Sequence, residues 1–232
     1  IKMKNQEEIK TAIYQYIADS IDCSIEQLES DDTCFAKNRK EEKDYIKILS
    51  IKDANIISCS EDKYEIGKQL LAGKIRDELY ESTLIFGQTL HYIPNMKKMI
   101  PLPLTDGFSY KLYEENELSQ LCGIKGFENS LAFDENGNTP TAIVLCARKD
   151  EKIIAIAGAS KVSGNIMEVG IDVNKEWRGY GLARLLVRNL TIEILKRDQI
   201  PFYSASVTNL ASQAVAFSSG YMLLWTDSFG VR

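Results

Sequence analysis

Residues 178–183, Arg-Gly-Tyr-Gly-Leu-Ala, constrain this chain more than any other stretch, because an apolar strand-like run at 166–173 precedes them and a helical repeat follows. Leu182, Leu185, Leu186, Leu190 and Ile194 mark one face of that helix, which reaches about residue 197. A chain that turns through two glycines into a helix leaves the first N–H groups without partners inside the helix. They point the same way, and the helix dipole adds about half a positive charge there. The turn therefore reads as a cradle for a phosphate group. Its residue pattern alone recurs by chance, so the flanking elements carry the argument.

The chain has 232 residues, 44% of them hydrophobic, enough for a substantial core. Its net charge of −5 is made of interspersed signs, with no basic stripe, so no nucleic-acid partner is expected. No apolar run approaches the roughly 20 residues of a membrane span. Ile1-Lys2-Met3-Lys4 leads into polar Asn5-Gln6-Glu7-Glu8 rather than an apolar leader. The expectation is a cytoplasmic protein with no membrane association. Cys23, Cys34, Cys59, Cys122 and Cys146 contain no Cys-x-x-Cys pair, and His91 is the only histidine. That composition argues against a metal site and against a disulfide framework. Buried thiols are the ordinary use of such cysteines; a cysteine nucleophile with His91 as base stays open, since the fold could bring them together.

Asn5 and Glu8 form a capping-box pattern before Ile9, Ala12, Ile13, Tyr16, Ile17 and Ile21, which predicts a helix near 6–20. The charged stretch 35–43 reads as a solvated loop. Residues 45–51 and 55–59 flank Lys52-Asp53-Ala54 as a hairpin. Asp62 and Glu65 are placed to cap a helix carrying Ile66, Leu70 and Leu71 and ending at Gly73, with another helix around 76–81. Pro94, Pro101 and Pro103, with Asp106-Gly107, form the densest set of breakers and predict a boundary: an N-terminal α+β accessory domain over 1–104 and a second domain over 105–232.

Beyond that boundary the pattern predicts a strand at 109–113, a helix at 115–122, and a short helix or turn at 126–133. An antiparallel pair follows at 142–148 and 153–160 around Lys149-Asp150-Glu151-Lys152. Then come the strand at 166–173, the glycine turn and its helix, a strand at 202–207, a short helix at 210–219 and a strand at 221–225. The fold class is α/β of the α+β kind: a mixed, mostly antiparallel central sheet flanked by helices, with a small N-terminal α+β domain.

Two separated motifs resemble those of the GCN5-related N-acetyltransferase (GNAT) superfamily over about 106–232. Residues 173–183 are similar to the family's Arg/Gln-x-x-Gly-x-Gly/Ala pyrophosphate motif after its fourth strand. Residues 209–221, from Asn209 through Ser212 to Gly220-Tyr221, are similar to its Asn-x-x-Ser…Gly-Phe/Tyr segment after the fifth. The resemblance implies acetyl-CoA as co-substrate, lying where the fourth and fifth strands part. Ile171 and Val173 would then pair with the pantetheine arm, and Arg178, Gly179, Tyr180, Gly181, Leu182 and Ala183 would hold the pyrophosphate, where a Cβ would block the approach. Asn209 and Ser212 are further cofactor candidates, with Asn209 equally suited to capping a helix.

The implied reaction is direct attack of a primary amine on the thioester, which requires a base for the ammonium and a proton for the thiolate. Glu168 is the first candidate base and Asp172 the second, sharing one strand face with Gly170. The family's common proton donor, a tyrosine four residues before the Gly-Phe/Tyr pair, is replaced by Ala216, so Ser218, Tyr221, Tyr203 or water must substitute. Phe217 and Trp225 read as core, and Trp177 as packing at the helix entrance or one wall of the cofactor site. The acceptor is a small-molecule amine or a peptide that the sequence does not specify, although Glu128, Asp134 and Glu135 could attract a cation; homodimer formation is left open. A non-catalytic acyl-CoA-binding module is the alternative. A nucleotide enzyme is disfavoured, because Leu182-Ala183 stands where a P-loop needs Lys-Ser/Thr.

Overall fold

The computed structural model describes residues 3–231. Its elements run α1 (Gln6–Ile21), α2 (Ile25–Leu28), β1 (Thr33–Lys37), β2 (Ile46–Ile51), β3 (Ala54–Cys59), α3 (Glu61–Leu71), α4 (Arg76–Tyr80) and β4 (Ile85–Pro94). There follow β5 (Ser109–Glu114), β6 (Thr141–Lys149), β7 (Lys152–Ser163), β8 (Ile166–Val173), α5 (Leu182–Lys196), β9 (Ile200–Ser206), α6 (Leu210–Ser218) and β10 (Tyr221–Val231). The chain packs as two compact units interleaved in sequence. One holds the described residues up to Ile9, Tyr92–Ser204 and Ala211–Met222; the other holds Lys10–His91, Ala205–Leu210 and the chain from Leu223 on.

The first unit is built on the strand order β5-β6-β7-β8-β9, antiparallel except for the parallel pair β8 and β9. Strand alternation gives the sheet two apolar faces. One, bearing Val144, Cys146 and Ile156, is covered by Leu118, Leu121, Phe127 and Leu131. Leu118 and Leu121 come from the helix expected there, a 3-10 helix over Glu115–Leu121; their i, i+3 spacing suits the tighter winding. The other face packs under α5, whose Leu185, Leu186, Leu190 and Ile194 are buried as their periodicity predicts. The N-terminal cap is also as predicted: Asn5 Oδ1 accepts from the Glu8 N–H at 3.0 Å while Glu8 Oε2 accepts from the Asn5 N–H at 2.6 Å.

The second unit has the strand order β1-β3-β2-β10-β4. The expected hairpin is β2 and β3, with Lys52 at a φ of 49° in the connecting turn. Strand β1 lies where a solvated loop was expected, because Thr33, Cys34 and Phe35 are strand formers that pair in parallel with β3, and the charged loop starts only after Lys37. In α3 the cap is Ser60, whose hydroxyl donates to Asp62 at 2.6 Å, and only Leu71 of the expected apolar face is buried; Ile66 and Leu70 stand exposed. Strand β10 runs well past Trp225, since polar Asp227 and Ser228 find partners inside: the Ser228 hydroxyl oxygen accepts from the Ile48 N–H at 3.0 Å. The core of this unit gathers Ile46, Ile48, Ile57, Cys59, Leu71, Leu79 and Ile85.

Candidate active site

Strands β8 and β9 pair over only four positions, Ile166 with Ile200 through Val169 with Tyr203. Beyond them no β9 residue pairs with Gly170, Ile171, Asp172 or Val173, although β7 continues to pair with all four. The sheet therefore opens along one edge of β8, leaving main-chain groups to face a guest or water. At the open end the chain folds into the glycine turn, where Arg178 Nε donates to the Val173 carbonyl at 3.3 Å.

Gly179 and Gly181 have φ values of 86° and 77°, which non-glycine residues adopt only under strain, and no atom lies within 4 Å of where a Cβ would stand on either. A Cβ on either would project into open space, so the two glycines leave the main chain of the turn uncovered. Gly181 caps α5 with no side-chain bond, so the first-turn N–H groups from Leu182 onward remain available. Lys175, Arg178 and Arg184 are exposed around it, with Glu176 the one carboxylate in the same stretch. Positive charge and free donors fit a pyrophosphate.

The turn is braced from outside. Trp177 and Tyr180 each meet Phe108 edge-on, at 5.7 and 6.1 Å, and lie 5.7 Å from each other. Trp177 packs on Phe108 and Tyr180, and Phe108 had no periodicity to mark it.

Of the two candidate bases, Glu168 is exposed on β8 opposite Ser160, and its carboxylate makes no hydrogen bond or ion pair among the described residues. Asp172 is engaged: Oδ1 accepts from Asn129 Nδ2 at 2.7 Å, and Oδ2 accepts from the Ser130 N–H at 2.9 Å and from its hydroxyl at 2.8 Å. This ties residues 129–130 onto the sheet directly over Gly158 and Gly170. A Cβ on Gly158 would fall 1.9 Å from the Ser130 carbonyl oxygen, and one on Gly170 equally close to that of Asn129. Isolated glycines inside strands are the sequence signal for such an approach, and they were there to be read.

Ser212 opens α6 and shares a 2.7 Å hydrogen bond with the buried Tyr203 hydroxyl. Asn209 belongs to the second unit, where its N–H donates to the Ser206 carbonyl at 2.9 Å. Phe217 is not core: it is exposed, with Lys98 Nζ 5.1 Å from its ring centre, because α6 turns Ala216 inward instead. Trp225 is buried in the second unit. Glu128 and Asp134 serve their own loops, accepting from the Gly126 N–H and from the Asn136 and Asn138 N–H groups. No set of three or more His, Cys, Asp or Glu among the described residues is placed to hold a metal ion, and no helix among them is long and apolar enough to cross a membrane.

A family model described as GNAT acetyltransferase matches residues 32–224, most of the chain. This chain belongs to the GNAT acetyltransferase family. The match reaches well upstream of residue 106, where the two motifs placed the likeness. No curated protein matches. Among solved structures, one from Novosphingobium aromaticivorans assigned to the GNAT family is 21% identical, covering 61% of this chain and 63% of that one, at a TM-score of 0.46. A GCN5-related N-acetyltransferase-like protein from Streptococcus suis is 19% identical, covering 78% and 72%, at 0.48. An acetyltransferase of the GNAT family from Colwellia psychrerythraea is 14% identical, covering 65% and 58%, at 0.45. The chain spans about three fifths of the length of the first and third.

Proposed function

We propose that the protein is an N-acetyltransferase that moves an acetyl group from acetyl-CoA to a primary amine of a small molecule or peptide. The observation that carries this reading is the parting of β8 from β9 after Val169 and Tyr203, with the glycine turn at its open end. The turn, residues 178–183, holds the pyrophosphate on its main-chain N–H groups. Ile171 and Val173 offer main-chain groups to the pantetheine amides, and Ser212, bonded to Tyr203, is a further contact. Acetyl-CoA supplies an activated acyl group, so the protein needs only to align the amine, take its proton and accommodate the thiolate. Glu168 takes the proton, directly or through water, since its carboxylate is unencumbered; Asp172 is spent on holding residues 129–130. Residues 1–104 would then play an accessory role.

The test is calorimetric titration with CoA, followed by thiol release from acetyl-CoA across a panel of amines. Micromolar binding and amine-dependent release, lowered on the order of 10²-fold in Glu168→Gln, are expected. Failure to bind CoA sinks the reading. Tight binding without amine-dependent release would instead make the protein an acyl-CoA-binding module.

A further inference from the structure

We infer that Tyr203 is the group that delivers a proton to the departing sulfur, with Ser212 supporting it; this rests on the acetyl-CoA reading above. Ala216 carries no donor, and the other hydroxyls near α6 are committed. The Thr191 hydroxyl donates to the Val187 carbonyl at 2.7 Å, so the Tyr221 proton points to Thr191 Oγ1, 2.6 Å away. Ser218 is exposed and donates to the Val215 carbonyl at 3.2 Å. Tyr203 differs from these in place, and the 2.7 Å bond it shares with Ser212 can run in either direction, so its proton is able to turn to a guest.

Tyr203 is the last β9 residue paired with β8, so it stands at the apex of the opening. From the apex to Val173 is about 13 Å, four strand rises. An arm anchored at the glycine turn and laid along that edge brings its far end to the apex. Ser212 and Ala216 are one helical turn apart and share a face of α6, so the Tyr203 hydroxyl occupies the face on which Ala216 presents only a methyl. Tyr221 packs its ring 5.9 Å from that of Tyr203 and fixes its orientation. The titratable groups facing this phenol are Asp172, Tyr92 and Tyr221; burial chiefly holds it above the usual tyrosine range, and it is protonated at neutral pH.

As the amine nitrogen bonds the acyl carbon, the carbon–sulfur bond breaks and its electron pair passes to sulfur. The Tyr203 proton moves to sulfur, giving the thiol. Ser212 turns its own O–H toward the resulting phenolate until a solvent proton restores it. The proton lost by the amine leaves through Glu168 or water.

The probe is CoA itself, labelled with ¹³C at the carbon bearing sulfur, titrated by NMR while bound. A donor at the sulfur favours thiolate, so the bound thiol of the native protein should ionise at lower pH than in Tyr203→Phe, with Ser212→Ala between them. Where turnover is measurable, Tyr203→Phe should lower kcat on the order of 10²-fold with the KM for acetyl-CoA within twofold. CoA that binds and titrates identically in the native protein and both variants overturns the role of Tyr203 and leaves the acetyltransferase reading standing. Absence of CoA binding by the native protein overturns both. Ser212→Ala serves alone if Tyr203→Phe fails to fold.

Discussion

Asp172 holds Ser130 twice through one carboxylate oxygen, 2.9 Å from its N–H and 2.8 Å from its hydroxyl. That grip, joined by Asn129 at the second oxygen, fixes a loop over a strand face that also bears Glu168. Hydrogen bonds to a charged acceptor contribute about 1.5–3 kcal/mol each, and they are not additive here. Asp172→Asn keeps the shape but turns an N–H₂ group toward donors. We expect about 2–3 kcal/mol of lost stability by urea unfolding with the m-value unchanged. A shift under 0.5 kcal/mol would show that the grip is incidental.

Gly170→Ala places a methyl 1.9 Å from a main-chain oxygen, with the loop held against retreat by Asp172. Overpacking against main chain should destabilise by about 3 kcal/mol or more, and Gly158→Ala should match it. Because both act through the same loop, the double variant should lose less than the sum. Full additivity in thermal melts would contradict a shared loop.

Phe108→Ala removes the common partner of Trp177 and Tyr180. Two edge-on contacts at about 0.5–1.5 kcal/mol each brace the glycine turn. The expected result is a CoA dissociation constant weakened about 5–20-fold, with far-ultraviolet circular dichroism unchanged. Unaltered affinity would mean that the turn keeps its shape unaided.

The pH dependence of stability should carry a signature of Asp227. Burial alone would raise its carboxyl, but His91 Nε2 at 2.9 Å and Lys47 Nζ at 3.2 Å hold it below the ordinary range. A folded value below the unfolded one, about 3.9, means that its contribution is complete above that pH and lost as pH falls through the folded value. Unfolding midpoints between pH 6 and 2 should drop steeply in the native protein and more gently in Asp227→Asn. Trp225, stacked 4.4 Å from His91, provides the fluorescence readout.

What the sequence disclosed depended on how local the physics was. The α5 stripe, the β6 and β7 pair and the Asn5–Glu8 cap are set by neighbours a few residues apart, and they were legible. Strands β1 and β4 were not: five residues are too few for periodicity, and Gly87, at a φ of 67°, interrupts the other. The last strand was expected only over 221–225, because the partner that draws Ser228 into it, Ile48, lies 180 positions away. Within the site, the positive-φ glycines announced themselves, whereas the Tyr203–Ser212 contact depends on how α6 returns to β9. The exposure of Phe217 shows the limit of reading a helix from composition: its apolar neighbour Ala216 took the inward position.

The four-position pairing of β8 with β9 also makes a clock. Amide hydrogens on the open edge of residues 170–173 have no strand beside them, so in the protein alone they should exchange with deuterated water far sooner than those of 166–169. A ligand that lies along that edge would slow them residue by residue, recording how deep it reaches before its chemistry is known.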